Sequence, residues 1–227
     1  MLTLNTRGLT GERLVQALSW ARGLNADALI LTETRTTAAP LDLLLHVPGA
    51  GAFWPTATFF HVPGTGHTGG IVLVLDGSGA FREPVQVQMP GGGGGDGRVL
   101  RVDAKLAGVG PVSLVGVYAP TEPGLRAHFW QTTMPACLPQ GGPPPIVGGD
   151  FNVVAGERDI VHPGGAGGGG GPAPHGSSRL VGSAAFLAFM QARDLRDVWR
   201  TSHPGEHAFT HWSPMHHSGA RLDGWWA

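Results

Sequence analysis

Cysteine is nearly missing from this sequence. Cys137 stands alone among 227 residues, which excludes an internal disulfide and a cysteine-based zinc site and suits a reducing compartment. Lysine is as scarce: Lys105 is the only one, so arginine carries nearly all the positive charge. Arginine grips phosphate bidentately where lysine acts as a point charge, but glycine, alanine and proline are abundant too, and this composition fits a GC-rich coding bias. An excess of charge is also lacking. The formal net charge is −1, which excludes a general electrostatic funnel for nucleic acid and leaves only local positive charge for such a partner. No apolar run approaches the length of a membrane span, and no basic stretch leads into an apolar one at the N-terminus. The sequence reads as soluble and intracellular. What is present is a hydrophobic content of 41%, enough for a real core, so disorder throughout is excluded. The length suits one large α/β or layered β domain, or two small ones.

Hydrophobic periodicity organises most of the chain. Residues 1–5 form a short alternating segment ending at Asn5. Leu14, Val15, Leu18, Ala21 and Leu24 recur with helical spacing after Thr10, and Asn25 is a C-cap candidate. Residues 28–32 read as a buried strand with Glu33 at its end. Strand, helix, strand is a crossover unit, so Asn5 and Glu33 are expected together at one sheet edge. Residues 36–69, rich in Pro, Gly, His and Thr, read mostly as surface loop. Strands are predicted at 69–75, 98–104 and 112–118, the last stopped by Ala119-Pro120. A helix is predicted over 125–136 and another over 184–194; strands follow at 208–212 and from 220–223. The glycine runs at 91–95 and 167–171 cannot hold one conformation without outside contacts; residues 90–97 and 163–176 are read as flexible Gly-rich loops. Neither run leads from a strand into a helix with a Gly-Lys-Ser/Thr end, so neither is a phosphate cradle.

Ile146-Val147-Gly148-Gly149-Asp150-Phe151-Asn152 carries the strongest signal for chemistry. A buried strand meets two glycines and then Asp150 and Asn152 at i and i+2, which in an extended chain share one face. Ligand sites of α/β folds sit at such strand ends, although Asp and Asn also favour plain turns. Polar groups mark other strand ends: Asn5, Glu33 and Tyr118. Thr210 lies in Phe209-Thr210-His211-Trp212, and Asp223 in Arg221-Leu222-Asp223.

In this order the set resembles the endonuclease/exonuclease/phosphatase superfamily. The matching pieces are Asn5-Thr6-Arg7-Gly8-Leu9, Thr32-Glu33-Thr34, Gly69-Gly70-Ile71, Val117-Tyr118-Ala119-Pro120, Gly149-Asp150-Phe151-Asn152, Phe209-Thr210-His211-Trp212 and Arg221-Leu222-Asp223. Tyr118-Ala119-Pro120, Asp150-Phe151-Asn152-Val153-Val154, and Leu195-Arg196-Asp197-Val198-Trp199-Arg200 before His203-Pro204 resemble the endonuclease domain of non-LTR (LINE-type) retrotransposons. The resemblance implies a single domain over 1–227, an α/β four-layer sandwich of two mixed β-sheets flanked by helices (DNase I-like). It implies Mg²⁺-dependent phosphodiester hydrolysis, with Mn²⁺ a possible substitute, on DNA as partner, and a nuclear location. By position Glu33 would be the main metal ligand with Asn5 beside it. Asp150 would orient or deprotonate the attacking water, or protonate the leaving oxygen. Asn152 and Tyr118 would hold the scissile phosphate, and Asp223 would orient a catalytic histidine; Thr210 joins this set through its motif. The chemistry is coherent, because Mg²⁺ takes one or two carboxylates plus water and substrate phosphate, leaving a second carboxylate for proton transfer.

The family pattern continues into a Ser-Asp-His segment, which is absent here. The expectation is therefore a domain incomplete at its C-terminus, lacking its last strand or strands, with impaired or no nuclease activity. A phosphatase or phosphodiesterase of the same fold acting on inositol-lipid or sphingolipid head groups is one alternative, and a non-catalytic remnant another. Eleven histidines include a group near the C-terminus (His203, His207, His211, His216, His217). His211 with His216 or His217 has zinc-ligand spacing, but without cysteines or a clear carboxylate partner these read as loop and surface residues.

Overall fold

A computed structural model describes residues 1–39, 53–89, 97–138, 141–161, 176–213 and 218–227. Both glycine runs, all but the last residue of each predicted loop (90–97 and 163–176), and His216 and His217 lie outside the described residues. The chain forms two compact units: residues 1–118 with 137–150, and residues 119–136 with 151–227.

The first unit begins with β1 (Leu2–Asn5), α1 (Gly11–Gly23) and β2 (Ala28–Thr32). The two strands pair in parallel with Asn5 opposite Thr32, as the crossover requires. Thr10 caps α1 by accepting the Arg13 amide at 3.3 Å, a contact worth about 1 kcal/mol. Leu24 rather than Asn25 is the C-cap residue; Asn25 follows it with φ 51°, the left-handed position that Asn tolerates just past a helix end. β3 (Ala57–Gly64) and β4 (Gly69–Asp76) complete an antiparallel extension in the order β1-β2-β4-β3. Leu14, Ala17, Leu18 and Ala21 of α1 pack on Leu29, Leu31, Val72 and Val74 of this sheet. That apolar stripe explains why β2 is buried throughout.

A second sheet within this unit holds β5 (Phe81–Gln86), β6 (Val99–Leu106), β7 (Gly110–Tyr118) and β8 (Pro145–Asp150). Its order is β8-β7-β6-β5, with β7 and β8 parallel. The sheets approach closely at Gly116, where an added Cβ would lie 3.0 Å from Ile71 Cγ2. β3 corrects the expectation of mostly loop over 36–69, and β5 lies in a stretch with no strand signal. Both are edge strands and each carries a proline, Pro63 and Pro84; β5 also changes register between Arg82 and Val85. Edge strands tolerate proline and bulges, and both blur the alternation that betrays a strand.

The second unit contains α2 (Pro123–His128), a π-helical segment (Phe129–Thr133) and α3 (Met134–Cys137), which ends at the unit boundary. One continuous helix was expected there; the wider π turn carries buried Phe129 and Trp130. A small antiparallel sheet joins β9 (Ile160–Val161), β10 (His211–Ser213) and β11 (Ser218–Ala220) in the order β10-β11-β9. α4 (Gly176–Leu180), α5 (Ser183–Gln191), α6 (Val198–Ser202) and β12 (Asp223–Trp226) complete it. Its core is aromatic. Trp130 meets Phe186 at 4.8 Å and Phe189 at 5.6 Å between ring centroids, and Phe186 meets Trp226 edge-on at 5.2 Å.

Candidate active site

Each sheet of the first unit contains one parallel strand pair, and the C-terminal ends of those pairs carry the polar residues singled out above. β1 ends at Asn5 and β2 leads into Glu33; β7 ends at Tyr118 and β8 at Asp150. Parallel pairing brings the residues after β1 beside the end of β2. The amide of Thr6 donates to Thr32 O at 3.0 Å and that of Gly8 to Glu33 O at 2.8 Å. Parallel register likewise sets Tyr118 opposite Asp150.

Asn5 links the two sheets. Its Nδ2 donates to Asp150 Oδ2 at 2.8 Å, and its Oδ1 accepts the Arg7 amide at 3.0 Å. Asp150 is 4% exposed, so this bond holds a buried carboxylate in one orientation. The sequence placed Asn5 chiefly beside Glu33. The structure adds that its side chain reaches Asp150.

Glu33 has φ 55°, a left-handed backbone that costs a non-glycine residue roughly 1 kcal/mol or more. The surroundings impose it: Thr6 Oγ1 donates to Glu33 O at 3.2 Å, and the next amide, Thr34 N, donates to Gly70 O at 3.1 Å. Gly70 has to be glycine, because φ is 88° and an added Cβ would stand 2.0 Å from Thr34 Oγ1. The Glu33 carboxylate pairs with Arg35, whose Nε and Nη2 both donate to Oε1.

Tyr118 is 4% exposed. Burial pushes its phenol above its ordinary ionisation range; the negative charges of Glu33 and Asp150 push the same way, against the guanidinium of Arg98 and a hydrogen bond with Thr68. Tyr118 is therefore a neutral hydroxyl at physiological pH, and it shares one electrostatic environment with both carboxylates. Arg98 lies over its ring, 5.3 Å from the centroid.

Asn152, Thr210 and Asp223 belong to the second unit. The strand ends at Asp150 and Asn152 has φ 49°, so the expectation that both side chains leave one face of an extended chain does not hold. A tight turn replaces the alternation, and Asn152 Nδ2 is tethered to Ala119 O at 2.9 Å. Thr210 Oγ1 accepts the amides of Leu222 and Asp223 at 3.0 and 3.1 Å, so its hydroxyl fixes the backbone that carries Asp223.

Several contributors had no usable sequence signal. Arg13 Nη1 donates to the carbonyls of Thr6, Arg7 and Gly8 at 3.0, 3.0 and 2.7 Å, holding the loop after Asn5 to the first turn of α1. Arg98 and Arg35 were likewise plain arginines in the sequence. The segment from Asp197 to Arg200 proves to be a brace: buried Arg221 donates Nε to Asp159 Oδ1 at 2.9 Å and Nη2 to Asp197, while Arg200 Nη2 donates to Asp159 Oδ1 at 2.7 Å. Trp199 lies under the guanidinium groups of Arg200 and Arg221, 4.7 and 5.2 Å from its ring centroid.

The donor set suits a small hard cation. Glu33 offers a carboxylate, and Asn5 Oδ1 keeps a second lone pair beyond the Arg7 bond. Among the described residues no group of three or more His, Cys, Asp or Glu side chains is gathered for a metal. An arrangement of few protein ligands, completed by water and substrate phosphate, is how Mg²⁺ is held. His203 Nδ1 lies 3.1 Å from Trp199 O and its ring stacks on Trp199, while His207 Nδ1 lies 3.1 Å from Arg158 O.

The model of the Endonuclease/Exonuclease/phosphatase family matches residues 2–227. Solved structures share the fold. An AP endonuclease from Leishmania major superposes with a TM-score of 0.69 at 19% identity, over 99% of this chain and 77% of that one. An AP endonuclease from Archaeoglobus fulgidus gives 0.67 at 16% identity, over 99% and 85%. A 3′ phosphatase from Neisseria, solved with a product DNA hairpin, gives 0.65 at 16% identity over the same shares. No curated protein sequence matches the chain at a significant level. The α/β DNase I-like fold of mixed sheets flanked by helices, expected from the motifs, is thus the fold of this chain.

Proposed function

The chain belongs to the Endonuclease/Exonuclease/phosphatase family, and on that footing we propose that it carries a metal-dependent phosphodiesterase site that acts on DNA, in the lineage of LINE-type retrotransposon endonucleases. One observation carries the reading: Asn5, Glu33, Tyr118 and Asp150 meet at the ends of two parallel strand pairs, with the Asn5–Asp150 bond at 2.8 Å joining the sheets. The names of the solved neighbours, AP endonucleases and a 3′ phosphatase bound to DNA, favour DNA over a lipid head group. Tyr118-Ala119-Pro120 and Asp150-Phe151-Asn152-Val153-Val154 support the retrotransposon branch.

Glu33 and Asn5 Oδ1 would hold the cation, Mg²⁺ or Mn²⁺, which supplies charge neutralisation for the phosphorane-like transition state and orientation of the attacking oxygen. Asp150 acts on the proton. Its carboxylate is buried and oriented by Asn5, so an oxygen can receive a proton from water in a fixed direction. Tyr118 stays neutral and donates a hydrogen bond from its hydroxyl to a phosphate oxygen without adding charge.

These 227 residues contain no Ser-Asp-His segment, so we propose that they nick DNA slowly on their own. Supercoiled plasmid incubated with Mg²⁺, once with protein in excess and once with plasmid in excess, tests both statements. Slow, chelator-sensitive conversion to open circle that Glu33→Gln and Asp150→Asn lose is the expected result. Equal conversion by wild type and Glu33→Gln would overturn the site; fast multiple turnover would overturn only the proposed slowness.

A further inference from the structure

The geometry points to Arg35 as a built-in competitor of the cation: its guanidinium occupies the carboxylate of Glu33 and has to leave before a metal ion can bind there. This inference rests on the proposed metal site and adds a residue to it. Both ends of the pair are held by backbone. Glu33 and Arg35 each have φ 55°, and Thr34 between them is 1% exposed. Thr34 N donates to Gly70 O at 3.1 Å and Arg35 N to Gly69 O at 2.9 Å. With the middle residue clamped inward by these two backbone bonds, the side chains of Glu33 and Arg35 meet beside it.

Freedom within the pair is unequal. The Glu33 side chain is 12% exposed and that of Arg35 is 43% exposed. The carboxylate stays; the guanidinium can swing out. It borders an open cleft of about 530 Å³ that also touches Arg7, Thr36 and Thr37, which gives it room to move. A cation and a guanidinium cannot share one carboxylate oxygen at close range, because like charges repel and Oε1 already accepts two donors. The apparent metal affinity is then the intrinsic affinity reduced by the fraction of chains in which Arg35 has moved away. Once displaced, its charge lies free beside a site that takes a phosphodiester.

A purely structural ion pair predicts the opposite outcome on mutation. If Arg35 only held Glu33 in place, its loss would weaken metal binding. If it competes, its loss strengthens binding. Calorimetric titration of the full chain with Mn²⁺ alone decides the sign. Arg35→Met and Arg35→Gln are expected to bind on the order of tenfold more tightly than wild type. Arg35→Lys, which keeps the charge, should stay near wild type, and Glu33→Gln should lose binding. Circular dichroism checks that each variant is folded, and two neutral variants guard against one that is not. Unchanged or weaker binding by both neutral variants, with Glu33→Gln still losing it, would overturn the role of Arg35 and leave the metal site standing. Absence of binding in wild type and neutral variants alike would overturn both.

Discussion

Glu33 combines the carboxylate proposed to hold the cation with a backbone angle that suits glycine. Comparing two truncations isolates that cost. Glu33→Ala and Glu33→Gly both remove the carboxylate and its contact with Arg35, but only glycine is at ease at φ 55°. Glu33→Gly should therefore be more stable than Glu33→Ala by about 1 kcal/mol, the reverse of the usual order, as chemical denaturation can measure. Equal stabilities, or alanine ahead, would show that the strained angle relaxes on mutation. Tyr118 gives a second test at this scale. Its folded value is raised above the ordinary 10, so its contribution to stability is complete below that pH and is lost as pH climbs through the raised folded value. Tyr118 is the only tyrosine, so ultraviolet absorbance titration follows it alone; ionisation should be shifted upward in the native chain and return to about pH 10 on unfolding. Asn5, Glu33, Tyr118 and Asp150 could be singled out as candidates because motif order marks them. Arg13, Arg35 and Arg98 were not, because an arginine that binds carbonyls, a carboxylate or a ring leaves no periodic mark.

At the scale of elements, the strand ends hold the site only while β7 and β8 stay in close register. Gly149 makes this possible: its φ is 136°, and an added Cβ would lie 2.0 Å from Val117 O. Gly149→Ala should cost at least about 2 kcal/mol and shift the resonances of Asp150 and Tyr118 in NMR spectra. The Arg221 brace is the counterpart in the second unit. Asp159→Ala leaves Arg221 and Arg200 short of their shared carboxylate and should destabilise by roughly 3–5 kcal/mol, the usual cost of breaking a buried pair from one side. A loss under about 1 kcal/mol in urea unfolding would mean that water replaces the carboxylate. Central elements were readable from sequence: β2 spans 28–32 as expected, and α1 follows its apolar stripe. β3 and β5 escaped because edge strands need no strict alternation and accept proline. The turn after Asp150 stayed one of two open readings, because an Asp-x-Asn pair gives the same pattern in a strand and in a left-handed turn.

For the molecule as a whole, the family and the fold could be read from ordered motifs spread across 227 residues. Composition alone gave neither, since a net charge of −1 points away from a nucleic-acid partner. Local charge offers the proposed DNA partner what the total does not: Arg7, Arg13 and Arg35 border one open cleft, and Arg35 pairs with Glu33. Binding to DNA should accordingly be weak and strongly salt-dependent, with a slope set by a few phosphate contacts. The central claim is that Glu33 anchors a divalent cation at the joined strand ends. Thermal unfolding with and without millimolar Mg²⁺ or Mn²⁺ tests it most directly, because a ligand that binds only the folded chain raises its melting temperature by mass action. A cation held by Glu33 gives a saturable rise in wild type that Glu33→Gln abolishes while remaining folded. No rise in wild type, or the same rise in Glu33→Gln, would contradict it.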